Sequence, residues 1–353
     1  MRIGVANNLF PPFSRGSGAE VIAEMNASDL RAAGHDVFII STRPRGKVAQ
    51  DSPDHYFLDS AYSTLGQKPV IWRLVWHLGQ LFFPWHIHKL NRILDERQPD
   101  LVITHNLMGI GFVLPRLLRV RGIRHEHVLH DIQLLHPSGL MYWGQEDLIK
   151  SFPAKIYQLV TRRAMASAAK VISPSRWLLS LHETRGFFAG QEKVVEPNFN
   201  LVRRETKPAN RPIHFVFTGQ LEKHKGLSLL LHAWQEAGLP SSVARLTIAG
   251  GGSLETEIQQ AASNLDNLEY AGLLDRDGIE ALLSAADVVV VPSLVYENSP
   301  TTLWEAALHG CRGLAANIGG IPELSPYLDL TLFTPGDRHA LSSAMRKIAE
   351  INS

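Results

Sequence analysis

Short runs of β-branched and apolar residues alternate along this chain with longer stretches of helical spacing, in two series separated by a polar, proline-containing segment. The first series has strand-type runs at residues 2–6, 36–40, 101–105, 124–130, 170–172 and 193–195, with helical spacing between them, as at 19–33 and 153–168. Such alternation favours parallel pairing, because a parallel strand needs a crossover long enough to hold a helix. At 201–212 the apolar period lapses and Pro208 and Pro212 punctuate a polar run, which reads as linker. A second series follows, with strands at 213–218, 244–249, 268–270, 288–291 and near 313–316, and helices after Gly226, Ser253, Asp277, Pro300 and Gly336. The fold class is therefore α/β: two Rossmann-like doubly wound domains, 1–196 and 212–353, with 197–211 between them. Ligands of such sheets bind beyond the carboxyl ends of the strands, so the site is expected in an interdomain cleft.

Length agrees, since 353 residues exceed what one core usually serves. The 35 Lys+Arg nearly cancel 34 Asp+Glu for a net charge of +1, which argues against a nucleic-acid protein. The total hides an asymmetry. Through Glu196 there are 23 basic and 17 acidic residues, net +6, and beyond it 12 and 17, net −5. Cys311 is the single cysteine, so an intrachain disulfide and a Cys-based zinc site are excluded, and a reducing, cytoplasmic location is expected. The amino terminus begins as a strand, with no export signal visible. Residues 70–85 form the longest apolar stretch, but Arg73, His77 and Gln80 interrupt it, and it is short of the roughly 20 apolar residues of a spanning helix.

The most informative segment is Glu297-Asn298-Ser299-Pro300-Thr301-Thr302-Leu303-Trp304-Glu305, directly after the buried-strand pattern 288–291. Proline suits the first turn of a helix. Unpaired N–H groups there can hold a phosphate or sugar oxygen, while Glu297 and Glu305 can accept from hydroxyls at opposite ends of an elongated ligand. Helix capping by Glu297 and Asn298, with Glu305 merely solvated, accounts for the same spacing. Asp275-Arg276-Asp277 is formally a metal-type carboxylate pair, but an Asp at a helix start has a ready local role as a cap.

Gly16-Ser17-Gly18 lacks the third glycine of a dinucleotide fingerprint and is separated from the end of its strand by nine residues, Asn7 to Arg15. It forms instead a loop long enough to reach a ligand. His130 and Asp131 end one strand-type run and His105 another, which puts all three at the sheet edge where ligands bind. His125 and His127 share one strand face and His130 takes the other, so the three do not form a metal site. Trp72, Trp76, Phe82, Phe83 and Trp85 alternate with Arg73, His77, His86, His88 and Lys89; a packed core helix and a membrane-interfacial surface both fit this pattern.

The Glu-x7-Glu segment, with Gly310-Cys311-Arg312-Gly313 and Gly319-Gly320-Ile321-Pro322-Glu323 after it, resembles the signature of the retaining glycosyltransferases of family four, which have the GT-B fold. The resemblance runs through essentially the whole chain. It takes in Gly16–Gly18, His130-Asp131, Ser173-Pro174-Ser175, Pro197-Asn198, Thr218-Gly219-Gln220, Lys225-Gly226 and the glycine turn at Gly250-Gly251-Gly252.

The resemblance implies that Glu305 holds the donor ribose, Glu297 the donor sugar, and the backbone of Asn298, Ser299, Thr301, Thr302 and Leu303 the diphosphate and sugar. Lys225 would offset the diphosphate charge, with Gly16, Gly18, Gly219 and Gln220 near the phosphates. His130 would touch sugar or acceptor, with His105 and Asp131 on the acceptor side. No obligatory metal or other cofactor is expected. Retention without an enzymic nucleophile implies front-face attack, in which the leaving phosphate oxygen accepts the acceptor's proton. The implied partners are a nucleotide-diphosphate sugar and a hydroxyl acceptor, the latter lipid-linked if the basic half meets an anionic membrane. Gln220 stands where the family usually has Arg, so Lys223, His224 or Arg15 must compensate, or turnover falls. A nucleotide-sugar epimerase of the same fold and a catalytically weak partner subunit are the rival readings.

Overall fold

The computed structural model describes residues 1–13, 18–83, 85–199 and 212–351, apart from the side chains of Ser63, Gln67, Val70, Leu74, Phe82 and Ile351. Two compact units emerge, one of Met1–Leu140 with Asp147–Glu196, the other of Met141–Glu146 with Pro197–Ser353. The expected linker at 197–211 falls largely outside the described residues.

The first unit is built on a sheet of seven strands: β1 (Arg2–Ala6), β2 (Asp36–Pro44), β3 (His55–Ser60), β4 (Leu101–Thr104), β5 (Arg124–Val128), β6 (Lys170–Ser173) and β7 (Glu192–Val195). Their spatial order is β3-β2-β1-β4-β5-β6-β7. Among its helices are α1 (Gly18–Ala32), α2 (Val70–Phe82), α3 (Ile87–Arg97), α4 (Val113–Val120), α5 (Phe152–Met165) and α6 (Arg176–Glu183). The second unit has six strands: β8 (Ile213–Thr218), β9 (Ala244–Ala249), β10 (Leu268–Gly272), β11 (Val288–Val291), β12 (Arg312–Ala316) and β13 (Leu330–Phe333), in the order β10-β9-β8-β11-β12-β13. Its helices include α7 (Leu227–Ala237), α8 (Glu255–Asn264), α9 (Arg276–Ala285), α10 (Thr301–Leu308) and α11 (Arg338–Ile351). Adjacent named strands in both sheets pair in parallel, so both units are Rossmann-like.

The central strands are apolar because both faces are covered: β8 and β11 are buried along their whole length. The two strands the sequence pattern misses, β3 and β13, are sheet edges. His55-Tyr56-Phe57-Leu58-Asp59-Ser60 carries polar residues at its ends, and β13 is only partly buried, so neither shows the uninterrupted apolar run of an interior strand. Six residues expected in the first domain, Met141–Glu146, group with the second. The Trp143 N–H donates to the Leu294 carbonyl (2.9 Å), the Tyr296 N–H donates to that of Met141 (2.9 Å), and Tyr142 bridges Val295.

Candidate active site

Each sheet reverses its strand order once, between β1 and β4 in the first unit and between β8 and β11 in the second. Loops leaving the two strands at such a point diverge, which opens a crevice. In the second unit the recorded β8–β11 register runs through Val288↔Phe215 and Val289↔Val216, short of both carboxyl ends.

Lys225 and Glu297 meet beyond those ends. Lys225 Nζ lies 2.7 Å from Glu297 Oε1, and the Ser293 hydroxyl donates to the same oxygen at 2.8 Å. Burial pushes the Glu297 carboxyl up, but the charge and hydrogen bond of Lys225, together with Ser293, outweigh it and hold the group below the ordinary carboxylate range. It is therefore an ionised acceptor for hydroxyls at neutral pH. An ammonium has three donors, of which Glu297 takes one, so Lys225 can also serve an anion.

Two glycines set the approach. Gly226, at φ 77°, follows the one-turn helix Lys223–Lys225, and a Cβ there would stand 1.9 Å from the Pro292 carbonyl oxygen. The Leu294 N–H donates to the His224 carbonyl (2.9 Å), so the Lys225 turn lies backbone to backbone on the loop after β11. Gly319, at φ 62°, would place a Cβ 2.1 Å from the Glu297 carbonyl oxygen, to which the Gly320 N–H donates at 2.9 Å. The family-type Lys-Gly and Gly-Gly elements thus act as backbone supports for the charged pair.

Helix α10 begins next to this pair. Its N-cap is Pro300, which makes no side-chain capping bond. The Trp304 indole donates to the Ser299 hydroxyl (2.8 Å), and its fully buried ring lies between Phe199 and Tyr327. Asn298 is buried, Thr301 and Thr302 are half-buried, and Leu303 is in the core. Glu305 is half-buried one turn further along; burial pushes its carboxyl up, opposed by the charge of Arg276.

Sequence periodicity does not mark the neighbouring strap, Met141–Glu146. The Tyr296 hydroxyl donates to Glu146 Oε1 at 2.6 Å and its ring lies 5.8 Å from that of Trp143, so the residue before Glu297 is held by the strap. The Tyr142-Trp143 pair is the only sequence trace of this contact.

In the first unit, His105 Nδ1 and His130 Nε2 are 2.8 Å apart with their rings stacked. His130 lies two residues beyond β5 and is half-buried; His105, directly after β4, is 1% exposed and stands behind it. Burial lowers both imidazoles, His130 to about 4, so one proton is shared between two neutral rings. His105 Nε2 has no hydrogen-bond partner among the described residues. A buried acceptor is less costly to leave unpaired than a buried N–H, which assigns the donor role in this pair to His105 Nδ1–H. Burial raises the neighbouring Asp131 carboxyl to about 6, even though the Gln133 N–H donates to it at 2.7 Å. These groups line a cavity with Asn106 and Leu134. Helix α5 fixes the loop, since Tyr157, Thr161 and Gln158 donate to the carbonyls of Gln133, Leu134 and Leu135 at 2.9, 2.7 and 3.1 Å.

His125 and His127 both bond the Thr104 hydroxyl at 2.8 Å, and His127 lines the same cavity as His130. Gly18 opens α1, while Gly16 and Arg15 lie outside the described residues. Gly219 and Gln220 are exposed, as is Lys223. His224 is half-buried, and burial followed by the charge of Lys225 lowers its imidazole, so it adds no charge at neutral pH. Asp275 caps α9, accepting from the Gly278 N–H at 2.9 Å. The aromatic segment divides: Trp76 is buried, whereas Trp72, Phe83 and Trp85 are exposed.

Comparison with known proteins adds the family. Residues 16–198 match the model of Glycosyltransferase Family 4 and residues 212–350 that of Glycosyl transferases group 1. An uncharacterized glycosyltransferase of Methanocaldococcus jannaschii is 30% identical over 92% of this chain and 82% of its own length. The O-antigen chain mannosyltransferase C of Escherichia coli is 28% identical over 55% of this chain and 54% of its own. HepE of Anabaena, solved with UDP and glucose, superposes with a TM-score of 0.69 at 18% identity, covering 99% of this chain and 90% of that one, a likeness of fold. With both units built on parallel sheets and both matched in order, the chain belongs to glycosyltransferase family 4.

Proposed function

We propose that this glycosyltransferase moves a hexosyl group from a nucleotide-diphosphate sugar to an acceptor hydroxyl with retention of configuration, in polysaccharide or glycolipid assembly. The observation that carries the reading is the ionised Glu297 held by Lys225 beside the start of α10. Glu297 accepts from sugar hydroxyls; Lys225 and the first N–H groups of α10 face the diphosphate, and Glu305 takes the ribose. When the anomeric carbon–oxygen bond breaks, negative charge grows on the departing phosphate oxygen, and these preorganised donors stabilise it. That oxygen takes the acceptor's proton as the new bond forms on the same face, so no metal is obligatory. His130 and Asp131 orient the acceptor. The complex of HepE with UDP and glucose and the O-antigen role of the E. coli relative support the donor and acceptor classes.

Among the described residues no helix is long and apolar enough to cross a membrane. We place the protein in the cytoplasm, peripheral on the inner face of the membrane, with a lipid-linked acceptor.

Thermal shift with UDP-, GDP- and ADP-sugars is the test, since a bound donor stabilises only the folded state. One donor class should raise Tm, transfer should survive EDTA, and the product anomer should match the donor's. No shift with any nucleotide sugar overturns the proposal.

A further inference from the structure

Helices α2 and α5 pack against each other, and the two faces of each have opposite character. Inward, α2 buries Trp76, Gln80 and Leu81, and α5 ties down the loop that carries His130 and Asp131. Outward, α2 presents Ile71, Trp72, Val75 and Leu78, and α5 presents Phe152, Ile156 and Leu159; Trp72 is 64% exposed and Phe152 76%. Residues 71, 75 and 78, like 152, 156 and 159, recur at helical spacing, so each set is a stripe rather than a scatter. Phe83 and Trp85 are exposed just past α2. Single exposed apolar side chains are ordinary, but stripes on two neighbouring helices mark a contact surface.

Charge says what kind of surface meets them. Neither Asp nor Glu occurs between Asp59 and Asp95, the span that holds α2, or between Asp147 and Glu183, the span that holds α5. The same spans carry Lys68, Arg73, Lys155 and Arg163, all exposed. A second copy of the chain, related by a two-fold axis, would bring this positive field against itself. A bilayer containing anionic lipid suits both features, with aromatic rings at the acyl boundary and cations among the headgroups.

We infer that the outward face of α2 and α5 is the surface by which the first unit docks on an anionic membrane. The inference rests on the membrane contact proposed above and gives it an address. It also accounts for the position of the acceptor-side cluster. The residues that anchor the His130–Leu135 loop are on the inner side of α5, so docking sets that loop about one helix diameter, roughly 10 Å, from the lipid surface, within reach of a lipid-linked hydroxyl.

Co-sedimentation of the full chain with vesicles tests this, using phosphatidylcholine alone and phosphatidylcholine mixed with phosphatidylglycerol. The wild-type chain should bind the mixed vesicles and be released by salt. The variant W72S/F152S/I156S should lose most of the bound fraction, and K155E/R163E should lose the preference for anionic lipid. Because all of these residues are exposed, the variants should keep the wild-type circular dichroism and Tm; a variant that does not is replaced by the single change F152S. Wild-type binding that the variants retain overturns the assignment of this face while leaving membrane contact standing. Absence of wild-type binding overturns both. Self-association in sedimentation velocity that W72S/F152S/I156S abolishes makes the face an interface between copies and overturns the inference.

Discussion

Lys225 Nζ stands 2.7 Å from Glu297 Oε1, and this contact joins the loop after β8 to the loop after β11 across the reversal in strand order. Removing either partner leaves a charge without its counterpart at the place where, on the proposed mechanism, phosphate charge develops. Lys225→Met and Glu297→Gln should each lower kcat about a hundredfold or more with circular dichroism unchanged. Near-normal turnover in both variants would remove this pair from the chemistry.

The supports of that pair should show up in stability. At Gly226 and Gly319 an added methyl meets a backbone carbonyl at 1.9 and 2.1 Å, and φ is positive at both. Alanine in the left-handed region alone costs about 1–2 kcal/mol, and the clash adds to it. Gly226→Ala and Gly319→Ala should therefore lower Tm by several degrees and reduce activity, whereas Gly34→Ala, with nothing near its Cβ position, bears only the cost of its φ. Equal Tm losses in all three would show that the carbonyl contacts do not matter.

Tyr296 precedes Glu297 and is held by Glu146 at 2.6 Å. Tyr296→Phe keeps the ring against Trp143 but loses the hydrogen bond, whose net value is about 0.5–1.5 kcal/mol. If the strap positions Glu297, the variant should lose several-fold in kcat with KM for the donor nearly unchanged. A change confined to Tm would make the strap structural only.

These contacts mark how far the residue pattern reaches. Interior strands such as β8 and β11 are legible to the residue because burial on both faces favours an apolar run, and the parallel topology follows from the crossovers. Glu297, Glu305 and Lys225 are visible as a motif. The edge strands β3 and β13 are not, since one open side lets polar residues in. Nor is the strap Met141–Glu146, because a six-residue irregular segment leaves no periodicity. The pairing of Lys225 with Glu297 and of His105 with His130 depends on which loops the folded sheet brings together, and no local spacing encodes that.

The buried histidines give stability a definite pH slope. Burial lowers His125, His130 and His182 from 6.5 to about 4, so the unfolded chain binds more protons in that window, and the stability they contribute, complete above 6.5, is lost as pH falls toward 4. Asp131 acts in the opposite sense. Its carboxyl is raised from 3.8 to about 6, so its contribution is complete below 3.8 and lost as pH rises through 6. The histidines outnumber it, and the urea midpoint should fall between pH 6.5 and 4. Asp131→Asn removes the opposing slope and should make that fall steeper; a shallower fall would contradict the sign assigned to Asp131.

Glu305 should separate binding from chemistry. It lies on α10, eight residues from Glu297, and burial raises its carboxyl while Arg276 opposes the shift. If it accepts from the two ribose hydroxyls, Glu305→Gln keeps the shape but replaces an ionised acceptor, and charge-assisted bonds of this kind are worth about 1.5–3 kcal/mol. The free nucleotide diphosphate and the donor sugar should then both bind about tenfold or more weakly, with kcat at saturating donor little changed. Glu297→Gln, by contrast, should spare binding of the free nucleotide and depress kcat. In the wild-type chain, donor KM should rise as pH falls into the range where the raised carboxyl takes up its proton, and Glu305→Gln should flatten that rise. A kcat loss in Glu305→Gln matching that of Glu297→Gln would mean that the two carboxylates act on the same part of the substrate and would overturn the assignment of one to ribose and the other to sugar.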